Sequence, residues 1–186
     1  MVAFISPSQT KEPILAEINS DAGPKGPGGK TYIRVWYSDS EGGGDEFGSF
    51  EGPLIPKSNP NPNIKADDHI APNEVKRPDG ILGLPVGHLG YMVVFFNGCK
   101  SSQNYEAWKA ALAGTKGAPG YLGWTIDTPG ISNRVGVLFG EAVVSYFRAR
   151  KSLEPPTEGL GLYALNYIHV RLEKAYPEIK SWLVLN

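Results

Sequence analysis

Cys99 is the only thiol in the 186-residue chain. It follows Asn97-Gly98 and precedes Lys100-Ser101-Ser102, just past the unbroken apolar run Tyr91-Met-Val-Val-Phe-Phe96. Such a run, with glycines at 90 and 98, reads as a strand covered on both faces in a parallel sheet. A thiol at the end of that strand sits on a rigid support, and it becomes a nucleophile when a base or a helix N-terminus favours the thiolate. Backbone amides around Gly98 and Lys100 are candidates for polarising the carbonyl under attack. The competing reading is inert packing, because an unpaired cysteine is among the most buried residue types.

Three histidines, His69, His88 and His169, are candidates for a base to Cys99. His88 stands before the apolar strand, and the intervening residues at a rise of ~3.3 Å each carry it on the order of 30 Å from the thiol. His169 adjoins the apolar stripe of a helix and reads as structural. His69 lies in a loop-rich segment that can fold over the strand ends, which makes it the candidate base. Trp124 and Asp127, after the short strand Pro119-Gly-Tyr-Leu-Gly-Trp124, can line a pocket at the same rim, where a carboxylate would select a basic side chain. Their ordinary roles are core packing for the indole and helix capping for the aspartate.

The elements that would position these groups are legible from periodicity. Thr31-Tyr-Ile-Arg-Val-Trp-Tyr37 reads as a strand running into the polar loop Ser38–Gly44. Residues 103–113 place Tyr105, Trp108, Ala111 and Leu112 at helical spacing, with Gly114 as a C-cap. Val135, Leu138, Phe139, Ala142, Val143, Tyr146 and Phe147 form the longest amphipathic stripe, and Gly136 and Gly140 within it permit close packing. Thr157 offers an N-cap to a helix carrying Leu162, Leu165, Ile168 and Leu172 before Pro177, and 181–185 closes as a strand. Strands alternating with helices imply an α/β fold, a layered and mainly parallel sheet flanked by helices, with ligands at the C-terminal strand ends.

Composition narrows the functions. Eighteen basic and nineteen acidic residues leave a net charge of −1, so net charge gathers neither nucleic acid nor an anionic membrane. No Cys/His cluster has zinc-ligand spacing, and the glycine tracts near 26–29 and 42–44 lack a P-loop lysine or a dinucleotide fingerprint; neither a metal nor a cofactor is expected. The apolar run is far short of the ~20 residues of a membrane span, and no signal-peptide pattern opens the chain, so a soluble protein is expected, with cytoplasm and secretion both compatible. Residues 1–30 read as an N-terminal arm and 31–186 as one domain. The stretch 45–77, dense in Gly, Pro and Asn, reads as a long excursion.

The run Phe95-Phe-Asn-Gly-Cys-Lys-Ser-Ser102 resembles the nucleophile strand of the caspase-like (clan CD) cysteine peptidases, which include caspases, gingipains, separases and bacterial CHAT domains. Tyr121-Leu-Gly-Trp124, Asp127, the helix Val135 to Phe147 and Ala164-Leu-Asn166 follow in the family's order, so the resemblance covers about 31–185. It implies a caspase-like fold, Cys99 as nucleophile and a peptide or protein as partner. It also places the strand end bearing Asp39 and Glu41 beside Cys99, where a carboxylate opposes thiolate formation. The family's His-Gly pair has no counterpart: the corresponding strand end reads Tyr37-Ser-Asp-Ser-Glu-Gly42. The resemblance thus implies a peptidase with another base, such as His69, or a degenerate member. The alternative is a non-catalytic binding or self-assembly module using the 45–77 loop and the arm, the arm also suiting exchange between subunits of a homo-oligomer.

Overall fold

The computed structural model describes residues 34–39, 42–44, 50–53, 69–75, 91–112, 120–149 and 160–186, together with Lys11 and Leu15. Its elements in chain order are β1 (Arg34–Ser38), β2 (Gly42–Gly44), β3 (Phe50–Pro53), β4 (Tyr91–Phe96), α1 (Tyr105–Leu112), β5 (Leu122–Trp124), α2 (Ser132–Ala149), α3 (Leu160–Ala175) and β6 (Leu183–Leu185). Short 3-10 turns occupy Pro72–Glu74 and Pro177–Ser181.

Four strands form one sheet in the order β1-β4-β5-β6. β4 lies inside it, parallel to β1 on one side and to β5 on the other. That central place is why its sequence is a continuous apolar run: both of its faces are covered. Alternation of side chains sends Val93 and Phe95 to one face and Val94 and Phe96 to the other. On the first face, Phe95 meets Trp124 and Phe139, and α2 and α3 add Val135, Ala142, Leu165, Ile168 and Leu172. On the second, Phe96 is ringed by Trp36, Trp108 and Tyr121, with centroids 5.1, 4.6 and 5.2 Å away. The result is a mostly parallel α/β sheet between α1 and the α2–α3 pair.

One pairing departs from the expected parallel pattern: β6 runs antiparallel to β5, with Trp124 opposite Leu183. The reason is the number of helices in the connection. A single helix, α1, returns the chain from the end of β4 to the start of β5, so those strands are parallel. Two successive helices carry it back to the end at which β5 finished, and β6 then runs the other way. A second departure concerns Gly42–Gly44, expected as a polar loop; it pairs antiparallel with Phe50–Pro53 as a separate two-stranded sheet.

The arm expected at 1–30 lies outside the described residues except at Lys11 and Leu15, both helical. Lys11 Nζ lies 2.7 Å from Glu74 Oε1, and Leu15 packs against the Trp36–Trp108 cluster. Burial works to raise the Glu74 carboxyl, but Lys11, the Ala71 amide (2.8 Å to Oε2) and His69 together hold it below its ordinary range. Much of the 45–77 excursion, Glu41, His88 and Thr157 also lie outside the described residues.

Candidate functional site

The C-terminal ends of β1, β4 and β5 form one rim of the sheet, and the residue at its centre is Asn97. Its backbone amide continues the β1–β4 ladder by donating to Ser38 O at 2.7 Å. Its side chain is buried, with 2% exposure. A buried carboxamide needs partners on both atoms. Oδ1 accepts the Trp124 indole N–H at 2.7 Å, and Nδ2 donates to Tyr37 OH and Asp39 Oδ1, each at 3.1 Å, with the Ser132 carbonyl at 3.4 Å. Because an indole nitrogen only donates, the Trp124 bond fixes which way the amide faces. One side chain thus ties β1, β5 and the first turn of α2 to the end of β4.

Tyr37 lies over the α2 face, stacked on Phe139 at 5.5 Å. Its hydroxyl passes so close to α2 that a Cβ on Gly136 would fall 2.1 Å from it, which accounts for glycine there. Burial first, and then the neighbouring Asp39 carboxylate, push the phenol from 10.0 up to about 12, with the Asn97 hydrogen bond opposing.

After Asn97 the chain turns tightly. Lys100 and Asn104 both have positive φ, 52° and 59°; for Lys100 this costs roughly 1–2 kcal/mol. The turn is stitched to β5 and the loop after it. Lys100 N donates to Ile126 O at 2.9 Å and Ser102 N to Trp124 O at 3.0 Å. Ser101, fully buried, donates through Oγ to Phe96 O at 2.5 Å and accepts from Trp124 N at 2.9 Å. At Gly123 a Cβ would strike the Ser101 backbone at 2.9 Å, so glycine lets the turn lie flat on β5.

Cys99 is half-buried in this turn. Its sulfur accepts two hydrogen bonds from one residue of the loop after β5, the Thr128 amide at 3.3 Å and the Thr128 hydroxyl at 3.1 Å. The adjacent residues of the two loops also meet, Lys100 Nζ lying 3.7 Å from Asp127 Oδ1. With Lys100 40% and Asp127 76% exposed, that ion pair adds little stability. Its effect is local, pairing a cation and an anion on the residues that adjoin Cys99 and Thr128 in the chain.

The sequence-derived candidates distribute as follows. Cys99, Gly98, Asp39 and Asp127 all lie on this rim. The ends of β1 and β4 are neighbours as expected, but Asp39 meets Asn97, and the thiol's hydrogen bonds come from Thr128 instead. Trp124 is fully buried and held through its indole N–H, a core residue that shapes the rim from beneath. The Lys100 amide, a candidate carbonyl donor, is committed to Ile126 O. His69 precedes Ile70, which packs in the cluster on the α1 face, and it is not among the thiol's hydrogen-bond partners. His169 lies on α3 with Nε2 2.9 Å from Leu183 O and 3.6 Å from Glu173 Oε1, which is the structural role expected for it.

Thr128, Asn97 and Tyr37 are site residues that the fold adds to the candidates. The signal for Asn97 is available in sequence: a polar residue wedged between Phe96 and Gly98 at the end of a buried strand must find partners there. Among the described residues no group of three or more His, Cys, Asp or Glu side chains is arranged to hold a metal ion, and no helix is long and apolar enough to cross a membrane. Comparisons with family models, curated proteins and solved structures return no match to this chain.

Proposed function

We propose that this chain is a caspase-like domain that holds a peptide across the C-terminal rim of its sheet without hydrolysing it. The observation that carries the reading is the environment of Cys99. Both groups hydrogen-bonded to its sulfur are donors, and neither a backbone N–H nor a hydroxyl already donating to that sulfur takes a proton from a thiol. Support for the class comes from the resemblance at 95–102 and from a rim of three parallel strand ends, where α/β sheets bind ligands. The exposed Asp39 and Asp127 favour a peptide with basic side chains.

The test pairs binding with cleavage. Fluorescence anisotropy over an arrayed peptide library is expected to find ligands that Asp127→Lys weakens and Cys99→Ala retains, while mass spectrometry of the same mixtures finds intact peptides. Cleavage products that vanish in the Cys99→Ala chain overturn the proposal and establish the second reading, an active cysteine peptidase. That reading is favoured by one observation: the half-exposed thiol precedes Lys100, whose φ of 52° is of the kind found at active-site turns.

A further inference from the structure

The helix α3 is apolar on two opposite sides. Its inner stripe, Ala164, Leu165, Ile168 and Leu172, is fully buried against the sheet and α2. Its other side presents Leu162, Tyr163, Tyr167 and Val170 to solvent. Tyr163, Tyr167 and Val170 recur at i, i+4 and i+7, the spacing of a second helix-packing seam. The neighbouring α2 repeats the feature with Val137 and Val144, seven residues apart. Contact between the Tyr146 and Tyr167 rings, 5.2 Å between centroids, links the two helices. These six exposed side chains are each between 43% and 67% exposed. A helix with apolar side chains on two sides packs on both, and among the described residues only the inner side of α3 is buried.

We propose that the outer face of α2 and α3 is the interface of a homodimer, each copy laying this face on the same face of a second copy about a two-fold axis. Area supports that occupant. The exposed parts of the six side chains supply on the order of 450 Å² of apolar surface per copy. A standard interface buries about 800 Å² per partner, of which roughly 55–65% is apolar, so the amounts agree. Charge does not oppose self-association: Glu141 and Arg148 flank the valines of α2, Asn166 and Lys174 share the outer side of α3 with the tyrosines, so both signs are present, and the chain's net charge is −1. The rim bearing Cys99 lies at the strand ends, so this interface and a peptide on the rim are separate matters.

Sedimentation velocity of the full chain tests the proposal. The wild-type chain is expected to sediment as a dimer at micromolar concentration, and the double variant Tyr163→Lys/Val170→Lys as a monomer with an unchanged far-UV circular dichroism spectrum. A wild-type chain that stays monomeric up to millimolar concentration overturns it, as does a folded double variant that stays dimeric. Should the lysine variant fail to fold, a second experiment decides: Val170→Cys in a Cys99→Ser background is oxidised beside Tyr105→Cys in the same background. Tyr105 is comparably exposed, at 42%, on the opposite side of the sheet. Faster disulfide-linked dimer formation from position 170 is expected; equal rates overturn the proposal.

Discussion

Replacing Asn97 by aspartate changes one NH₂ group for an oxygen at nearly constant shape, and the structure sets the outcome. The Trp124 indole keeps its acceptor. The two hydrogens that Nδ2 gives to Tyr37 OH and Asp39 Oδ1 disappear, and a second oxygen faces the Asp39 carboxylate at about the 3.1 Å now spanned by a hydrogen bond. Two lost hydrogen bonds at about 1 kcal/mol each, plus the cost of a buried carboxylate beside another, give a destabilisation of roughly 3–4 kcal/mol at neutral pH. The loss must depend on pH. Burial and the Asp39 charge raise the new carboxyl in the folded state above its unfolded value of about 4. A group raised in this way contributes its stability below the unfolded value and loses it as pH rises through the folded one. The Asn97→Asp deficit therefore shrinks in acid, where a proton shared between the two carboxyls restores a hydrogen bond. Urea unfolding followed by tryptophan fluorescence at several pH values measures it. A deficit under 1 kcal/mol at neutral pH, or one that does not shrink in acid, would show that the Asn97 network does not hold the rim together.

Three further expectations follow from the same geometry. With its phenol raised to about 12, Tyr37 stabilises the fold fully below pH ~10 and loses that contribution as pH climbs through about 12; two units are worth about 2.7 kcal/mol, reduced to roughly 1 kcal/mol for a ring 38% exposed. Tyr37→Phe should flatten that alkaline limb in chemical denaturation, and an unchanged limb would assign it elsewhere. The two helix glycines should respond oppositely in thermal melts: Gly140→Ala gains roughly 0.5–1 kcal/mol, because its site is open, whereas Gly136→Ala collides with Tyr37 and destabilises. Ser101→Ala should cost about 1–3 kcal/mol by leaving the Trp124 amide without its acceptor, and a neutral result would mean that water takes over the bond.

Much of the scaffold is legible in sequence, because burial writes periodicity directly. The unbroken run ending at Phe96 announced the covered central strand, and the stripe from Val135 to Phe147 announced α2. The direction of β6 was legible in principle from two consecutive helices with no strand between them. The site was legible only in part. Cys99, Gly98, Asp39 and Asp127 share a rim because strand ends share a rim, which topology alone guarantees. That Thr128, 29 positions further along the chain, holds the thiol depends on how two loops lie on each other, and no local pattern encodes it. Trp124 shows the converse: beside a candidate pocket in sequence, it is the indole that the core consumes.

The stitching of residues 100–102 to β5 has a practical side. A nitroxide attached to a thiol in a floppy loop tumbles freely and reports little. Here the attachment point is clamped to the sheet on the side facing Ile126 and Thr128, and the absence of a second cysteine makes the label unique without mutagenesis. Its spectrum should show slow, restricted motion in the free protein. Anything that settles on the rim will register as a further change in line shape, and a pair of such labels in an assembly of copies should give a narrow distribution of distances, turning the lone cysteine into a fixed survey mark.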